Sequence, residues 1–393
     1  MRASVAALAA GVGLAATTAC GAGLGVSDAD WIGGTPRAHV HAGPLHLRYT
    51  ERLAADFSGS YQPVERAVAA LDPLHDRVYV GSTAGALWAL TPAGRKLWRY
   101  DSGGAIESQP AMDAAAGELY VGNAEGTMAS LRSVDGSERW QRSVGGPVRS
   151  LPALSEDAVF VITASDAVVA LSRIRGEELW RYKRDAPAGF SLTGHSGLVL
   201  HEGRILAGFT DGVVVALDAA TGQVAWERDT ALDFEESDDT ATRFVDVDTT
   251  PVIVGDRVWI ASFSGGLYEL ALGSGSVLGR ESELTGVVSI TAAGTDTLIL
   301  SSADLGVVRF DTQARRVRWR RAVRRGAPGT ARVERGTVLV GENLGGFLAL
   351  SLATGAELSR FESGHGFTAE CAVAGQLGFV VSNGGSLFAF AVD

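Results

Sequence analysis

Two carboxylates two residues apart, Asp246 and Asp248 in the stretch FVDVDTTPVI (residues 244–253), stand directly before a Thr-Thr-Pro. Such a pair can hold a metal, run acid/base chemistry or grip a basic side chain on a partner. Other groups with chemical potential are few. The acidic run Asp233, Glu235, Glu236, Asp238 and Asp239 lacks the D-x-D-x-D-G order of a calcium loop and reads as solvated surface. His39, His41 and His46 lie close together and could form a metal site; the alternative is a solvated linker. No G-x-S-x-G, H-E-x-x-H, P-loop or EF-hand spacing occurs.

The chain of 393 residues carries 50 Gly and 11 Pro with 20% charged residues, the profile of a turn-rich globular protein. A formal charge of −11 argues against a nucleic-acid partner, which would need a basic face to displace counterions. The N-terminus has one positive charge at Arg2, then an Ala-rich apolar run, then small residues, which reads as an export signal over residues 1–19. It ends in Thr17-Thr18-Ala19-Cys20-Gly21, similar to a bacterial lipobox, with Thr17 where such boxes usually carry Leu. On this reading Cys20 is acylated and residues 20–44 form a flexible tether reaching about 25 Å. Ordinary signal cleavage beside an incidental Cys is the alternative. With Cys20 lipidated, Cys371 has no thiol to pair with and is expected as a buried free cysteine.

A repeated phrase must position all of these groups. Segments such as RVYVGSTAGALWALTPAGRKLW (residues 77–98) and RILAGFTDGVVVALDAATGQVAW (residues 204–226) recur. Aligned on Tyr79, Tyr120, Phe160, Leu206, Trp259, Ile299, Leu339 and Phe379, their steps are 41, 40, 46, 53, 40, 40 and 40 residues. Short apolar runs bounded by Gly-rich turns are antiparallel strands. With one further strand before each unit (SQPAM, SLPAL, TTPVI), each repeat supplies four. The expectation is an all-β, eight-bladed β-propeller spanning residues 45–393. The eighth repeat stops before its outer strand, so residues 45–53 are expected to supply that strand and close the ring, removing an exposed edge. Trp98, Trp140, Trp180, Trp226 and Trp319 hold a constant place in the repeat, which favours packing between blades over an aromatic ligand box. Gly279 and Ser359 interrupt that pattern, so two blade contacts must be built differently.

The phrase ALDAATGQVAW resembles the tryptophan-docking repeat of the pyrroloquinoline-quinone propeller superfamily, which includes dehydrogenases. Such enzymes typically carry adjacent cysteines and a calcium site, and this chain has no adjacent Cys pair. No enzymatic activity and no cofactor are therefore expected. The steps of 46 and 53 residues mark insertions, one holding SLTGHSG and the other DVDTTPVI. Together these resemble the BamB family, the propeller lipoproteins of the outer-membrane β-barrel assembly machinery, which carry a nearly identical Asp-Val-Asp-Thr-Thr-Pro-Val and a Ser-Leu-Arg-Gly-x-Ser segment. The resemblance implies a non-catalytic scaffold on the periplasmic side of the outer membrane. It would dock on the POTRA domains of BamA through Leu192, Asp246 and Asp248, with Phe190 and Thr193 at family positions that usually carry Leu and Arg. Losing the Arg at 193 removes a multi-donor contact. From the residues alone, the aspartates could instead cap backbone N–H groups of their own loop. A periplasmic ligand-binding or sensor propeller using its central channel is the competing reading, with a quinone-dependent dehydrogenase the third.

Overall fold

Burial along each repeat divides the strands into layers. The two middle strands are buried on both faces, as in Ala158–Thr163 and Ala167–Ser172, whereas the outer strand Glu178–Lys183 alternates between solvent and protein. A strand apolar on both faces needs a sheet on either side, and only a ring gives every sheet two neighbours. The computed structural model, in which residues 43–54, 64–185, 196–234 and 244–393 are described, shows this arrangement. Eight four-stranded antiparallel sheets follow one another in chain order as the blades of a β-propeller.

Blade 1 is built from Ala70–Asp72, Arg77–Val80, Ala86–Leu90 and Lys96–Asp101, innermost to outermost, and the next six blades repeat this order. The innermost strands are shorter than their sequence segments suggest: Ala111–Asp113, Ala153–Leu154 and Val252–Val254 begin only after Pro110, Pro152 and Pro251. Proline has no N–H for the ladder, so pairing starts beyond it.

Hydrophobic clusters join consecutive blades, as where Phe160 and Val168 of blade 3 pack with Ile205 and Val215 of blade 4. The tryptophans add a second tie. The Trp98, Trp140, Trp180, Trp226 and Trp319 indole N–H groups donate to the carbonyls of Ser133, Arg173, Ala219, Leu272 and Leu352 of the following blade, at 2.8–3.1 Å. Their rings lie against turn glycines: a Cβ on Gly222 would sit 2.6 Å from Trp180 Cε3. The packing expectation for these residues holds.

At the two interruptions other groups fill the space. Beside Gly279 lies the Arg315 guanidinium, paired with Glu269 at 2.5 Å and Glu281 at 2.7 Å. Beside Ser359 lies Gly43, and the Leu45 N–H donates to the Ser359 hydroxyl at 3.3 Å. Phe347, Phe361, Phe367, Phe388 and Phe390 pack together in the adjoining core.

Blade 8 contains Ala372–Ala374, Leu377–Val381 and Ser386–Val392, and its outer strand is Leu45–Arg52 from the N-terminal end of the propeller. The last pair is antiparallel, from Leu45 opposite Val392 to Arg52 opposite Ser386. Tyr49 on this strand takes the place of the missing tryptophan: its hydroxyl donates to the Pro92 carbonyl at 2.9 Å and its ring lies 2.7 Å from a Cβ built on Gly94. Burial, aided by the nearby Glu51 carboxylate, pushes the Tyr49 phenol up to about 12, so it remains a donor. His46 belongs to this strand and pairs with Asp393 at 2.9 Å, joining the first and last strands of the propeller, while His39 and His41 lie outside the described residues. Cys371 is buried and free, as expected.

The candidate partner-docking site

Residues 244–251 run from blade 4 to the inner strand Val252–Val254 of blade 5, and they are stitched down along their length. The Phe244 N–H donates to the Ser264 hydroxyl (3.2 Å) and the Ser264 N–H to the Phe244 carbonyl (3.1 Å). The Ser262 hydroxyl donates to the Val245 carbonyl at 3.0 Å, and the Phe263 N–H to the Asp246 carbonyl at 3.1 Å. On the other flank the Val247 N–H reaches the Phe209 carbonyl of blade 4 at 3.1 Å. Thr249 Oγ1 accepts the Ala261 N–H at 2.8 Å. Val247 is 1% exposed within the core shared by blades 4 and 5.

The two aspartates have different surroundings. Asp246 is 2% exposed, so its carboxylate acts from beneath the surface. Asp248 is half-buried, and its carboxyl is pushed up to about 7, first by burial and then by the negative charges of Asp246 and Asp166. The Asp166 carboxylate in turn accepts the Thr210 hydroxyl at 2.5 Å and the Thr210 N–H at 3.2 Å. A carboxylate held where ionisation is unfavourable costs stability once it is charged.

The base of the other insertion meets this segment. The Ser196 hydroxyl donates to the Thr249 carbonyl at 3.2 Å and the Gly197 N–H to Thr250 Oγ1 at 3.0 Å. A Cβ on Gly197 would collide with Thr250, so glycine is required for this approach. The two enlarged connections are therefore joined at their roots. Phe190, Leu192 and Thr193 lie outside the described residues, as does Cys20. Of the acidic run, Asp233 falls in the 3-10 turn Ala231–Phe234 and pairs with Arg228 at 2.6 Å; the other four residues are outside the description.

Asp248 also borders the central channel, a cavity of about 680 Å³ lined from all eight blades. There the Glu107 carboxylate pairs with Arg149 at 2.7 Å, near Arg66, and burial pushes the Glu370 carboxyl up to about 7. Sequence reasoning did not single out these groups, although a signal existed. Glu107, Arg149 and Asp248 each stand three residues before the proline that precedes an inner strand, in ESQP, RSLP and DTTP. The repeat register thus marks which side chains enter the channel. Among the described residues, no group of three or more His, Cys, Asp and Glu is placed to hold a metal.

Fold and site define a closed eight-bladed propeller with tryptophan-docked blades and two enlarged connections, after blades 3 and 4, joined at their roots. The chain belongs to the BamB family: residues 83–321 match the family described as outer membrane protein assembly factor BamB. The outer membrane protein assembly factor BamB of Shewanella oneidensis is 32% identical over 165 residues, 42% of this chain and 41% of that protein. That of Burkholderia pseudomallei is 29% identical over 251 residues, 62% of this chain and 63% of its own length. The matched stretch thus spans 41% to 63% of the length of these relatives. The crystal structure of BamB from Moraxella catarrhalis superposes with a TM-score of 0.72 over 88% of this chain and 99% of that one; at 23% identity it bears on the fold alone.

Proposed function

We propose that this chain is a non-catalytic scaffold in outer-membrane protein assembly. In this reading it is held at the periplasmic face of the outer membrane by acyl chains on Cys20. It docks on the POTRA domains of a BamA-like partner and so assists the folding and insertion of outer-membrane proteins. Family membership and the names of the relatives support the assembly role. The observation that carries the docking surface is the junction of the two insertions through Ser196 with Thr249 and Gly197 with Thr250. Roots tied to each other on a rigid ring give the two connections adjacent, fixed points of departure, as a shared docking surface needs.

Within that surface, Phe190 and Leu192 supply apolar contact, Thr193 a smaller polar one, and Asp248 a carboxylate for a basic side chain. Asp246, being buried, shapes the segment that presents Asp248. An Arg or Lys reaching Asp248 would favour its ionised form, so binding requires release of the proton it holds near pH 7. The affinity of the purified chain for the partner's POTRA fragment, measured from pH 8 to pH 6, should fall by up to about tenfold per pH unit below 7. Asp248→Asn should bind more weakly at pH 8 and show a flat profile. Leu192→Ala should weaken binding with little dependence on salt. Normal binding by an Asp246→Ala/Asp248→Ala double variant that melts much earlier would leave the aspartates with a loop-holding role only.

A further inference from the structure

The outer strand of blade 6, Arg316–Arg321, reads RVRWRR. With its flanks it places Arg315, Arg316, Arg318, Arg320, Arg321, Arg324 and Arg325 within eleven residues that contain no Asp or Glu, in a chain whose net charge is −11. Charges on an outer strand can simply discourage edge-to-edge pairing. That purpose is served elsewhere by mixed signs, since each of the other seven outer strands carries at least one carboxylate, as in KLWRYD, ERWQRS and VAWERD. Blade 6 departs from that scheme.

Four of these arginines are used within the fold. Arg315 pairs with Glu269 and Glu281, Arg318 with Asp311, and Arg321 and Arg324 with Glu357. Arg316, Arg320 and Arg325 are exposed and have no ion-pair partner among the described residues. Arg316, Arg318 and Arg320 alternate along the strand and so share one face of it, opposite Trp319 and Arg321, which reach blade 7; all three are exposed at the rim. The result is an exposed run of basic side chains along the rim, suited to an extended anionic surface.

Its position favours a membrane. The Glu357 that accepts Arg321 and Arg324 lies on the outer strand of blade 7, Glu357–Phe361. Two residues along that strand, Ser359 lies against Gly43, the first described residue, and receives the Leu45 N–H. The described chain therefore begins at the outer strand of blade 7, next to blade 6, and a chain tethered to a membrane through its N-terminal segment, as in the proposed function, would turn this part of the rim towards the lipid.

We propose that the blade 6 basic run is a binding surface for the anionic phospholipid headgroups of the membrane to which the chain is tethered, with Arg316, Arg320 and Arg325 engaging phosphate oxygens. Guanidinium groups bind phosphate through paired N–H donors and keep their charge at any physiological pH. The overall negative charge opposes this contact, but screening confines that repulsion to about 8–10 Å at physiological salt, so the local basic run decides.

The test uses the full chain carrying Cys20→Ala, so that no acyl group contributes. Its partition onto phosphatidylcholine vesicles is compared with that onto equal parts phosphatidylcholine and phosphatidylglycerol. The expected result is binding to the anionic vesicles alone, weakening as salt rises. The Arg316→Gln/Arg320→Gln/Arg325→Gln variant should lose about fivefold per charge, about a hundredfold in all. An Arg95→Gln/Arg99→Gln/Arg132→Gln variant, with the same charge change on blades 1 and 2, should bind like the parent. Failure of the parent to bind anionic vesicles at low salt, equal binding to both vesicle types, or equal losses in the two variants would each overturn the proposal. Binding of polyglutamate that depends on these arginines, without vesicle binding, would also overturn it, in favour of an acidic protein partner.

Discussion

Tyr49 is where the closure of the ring can be measured. It sits on Leu45–Arg52, with its hydroxyl donating to the Pro92 carbonyl at 2.9 Å and its ring against Gly94 of blade 1. Tyr49→Phe removes the hydrogen bond and keeps the ring, which should cost about 1 kcal/mol. Tyr49→Ala removes both. A fully buried aromatic costs about 3–5 kcal/mol on truncation to Ala, and since Tyr49 is half-buried about 2–4 kcal/mol is expected. Urea unfolding followed by tryptophan fluorescence should therefore give midpoints in the order parent, Phe, Ala, with slopes unchanged if only stability has moved. Deletion through Leu53 should be worse than either point change, because Ser386–Val392, buried along its whole length, would lose the strand that covers its edge. Deletion through Pro44 should be tolerated. Parent-like unfolding of Tyr49→Ala, or equal costs for Phe and Ala, would refute ring docking as the closing contact.

Other outcomes follow from the same geometry. Asp248 has a folded-state value of about 7, above its ordinary 3.8, so the stability it contributes is complete below about pH 4 and lost as pH rises through 7. Asp248→Asn should thus stabilise the chain near pH 8 by about 2 kcal/mol after allowing for solvent screening, and the gain should vanish towards pH 4 in melting curves. Gly222→Ala should cost about 2–4 kcal/mol, from a φ of +73° and a Cβ 2.6 Å from the Trp180 ring. Gly203→Ala, at a φ of +75° with nothing near its Cβ, should cost only the backbone share of about 1–2 kcal/mol; equal losses in denaturation would remove the ring from the account. The Cys371 thiol is buried and pushed well above its usual range by that burial, so in a Cys20→Ala chain it should resist Ellman's reagent until the blades open. Rapid native labelling would contradict this.

The repeat period, the short apolar runs between Gly-rich turns and the constant place of five tryptophans were all legible in the sequence, because each arises from a local pattern that recurs along the chain. The missing outer strand was legible too, since a truncated eighth repeat and a spare segment at residues 45–53 can meet only if the chain closes on itself. What replaces a tryptophan was not. Tyr49 against Gly94, Arg315 beside Gly279 and Gly43 beside Ser359 are contacts between distant residues, and no spacing rule names the partner. The candidate site divides in the same way. Asp246 and Asp248 stand out in the sequence as an identical pair, but the backbone path that buries one and leaves the other half-exposed at the channel depends on hydrogen bonds to Phe209 and to residues 261–264. Burial and the field of Asp166, eighty-two positions away in the chain (248 − 166), then set the acidity of Asp248. Residue type and period are properties of the chain, whereas desolvation and the charge of a neighbour exist only once the ring has brought blades 3, 4 and 5 together.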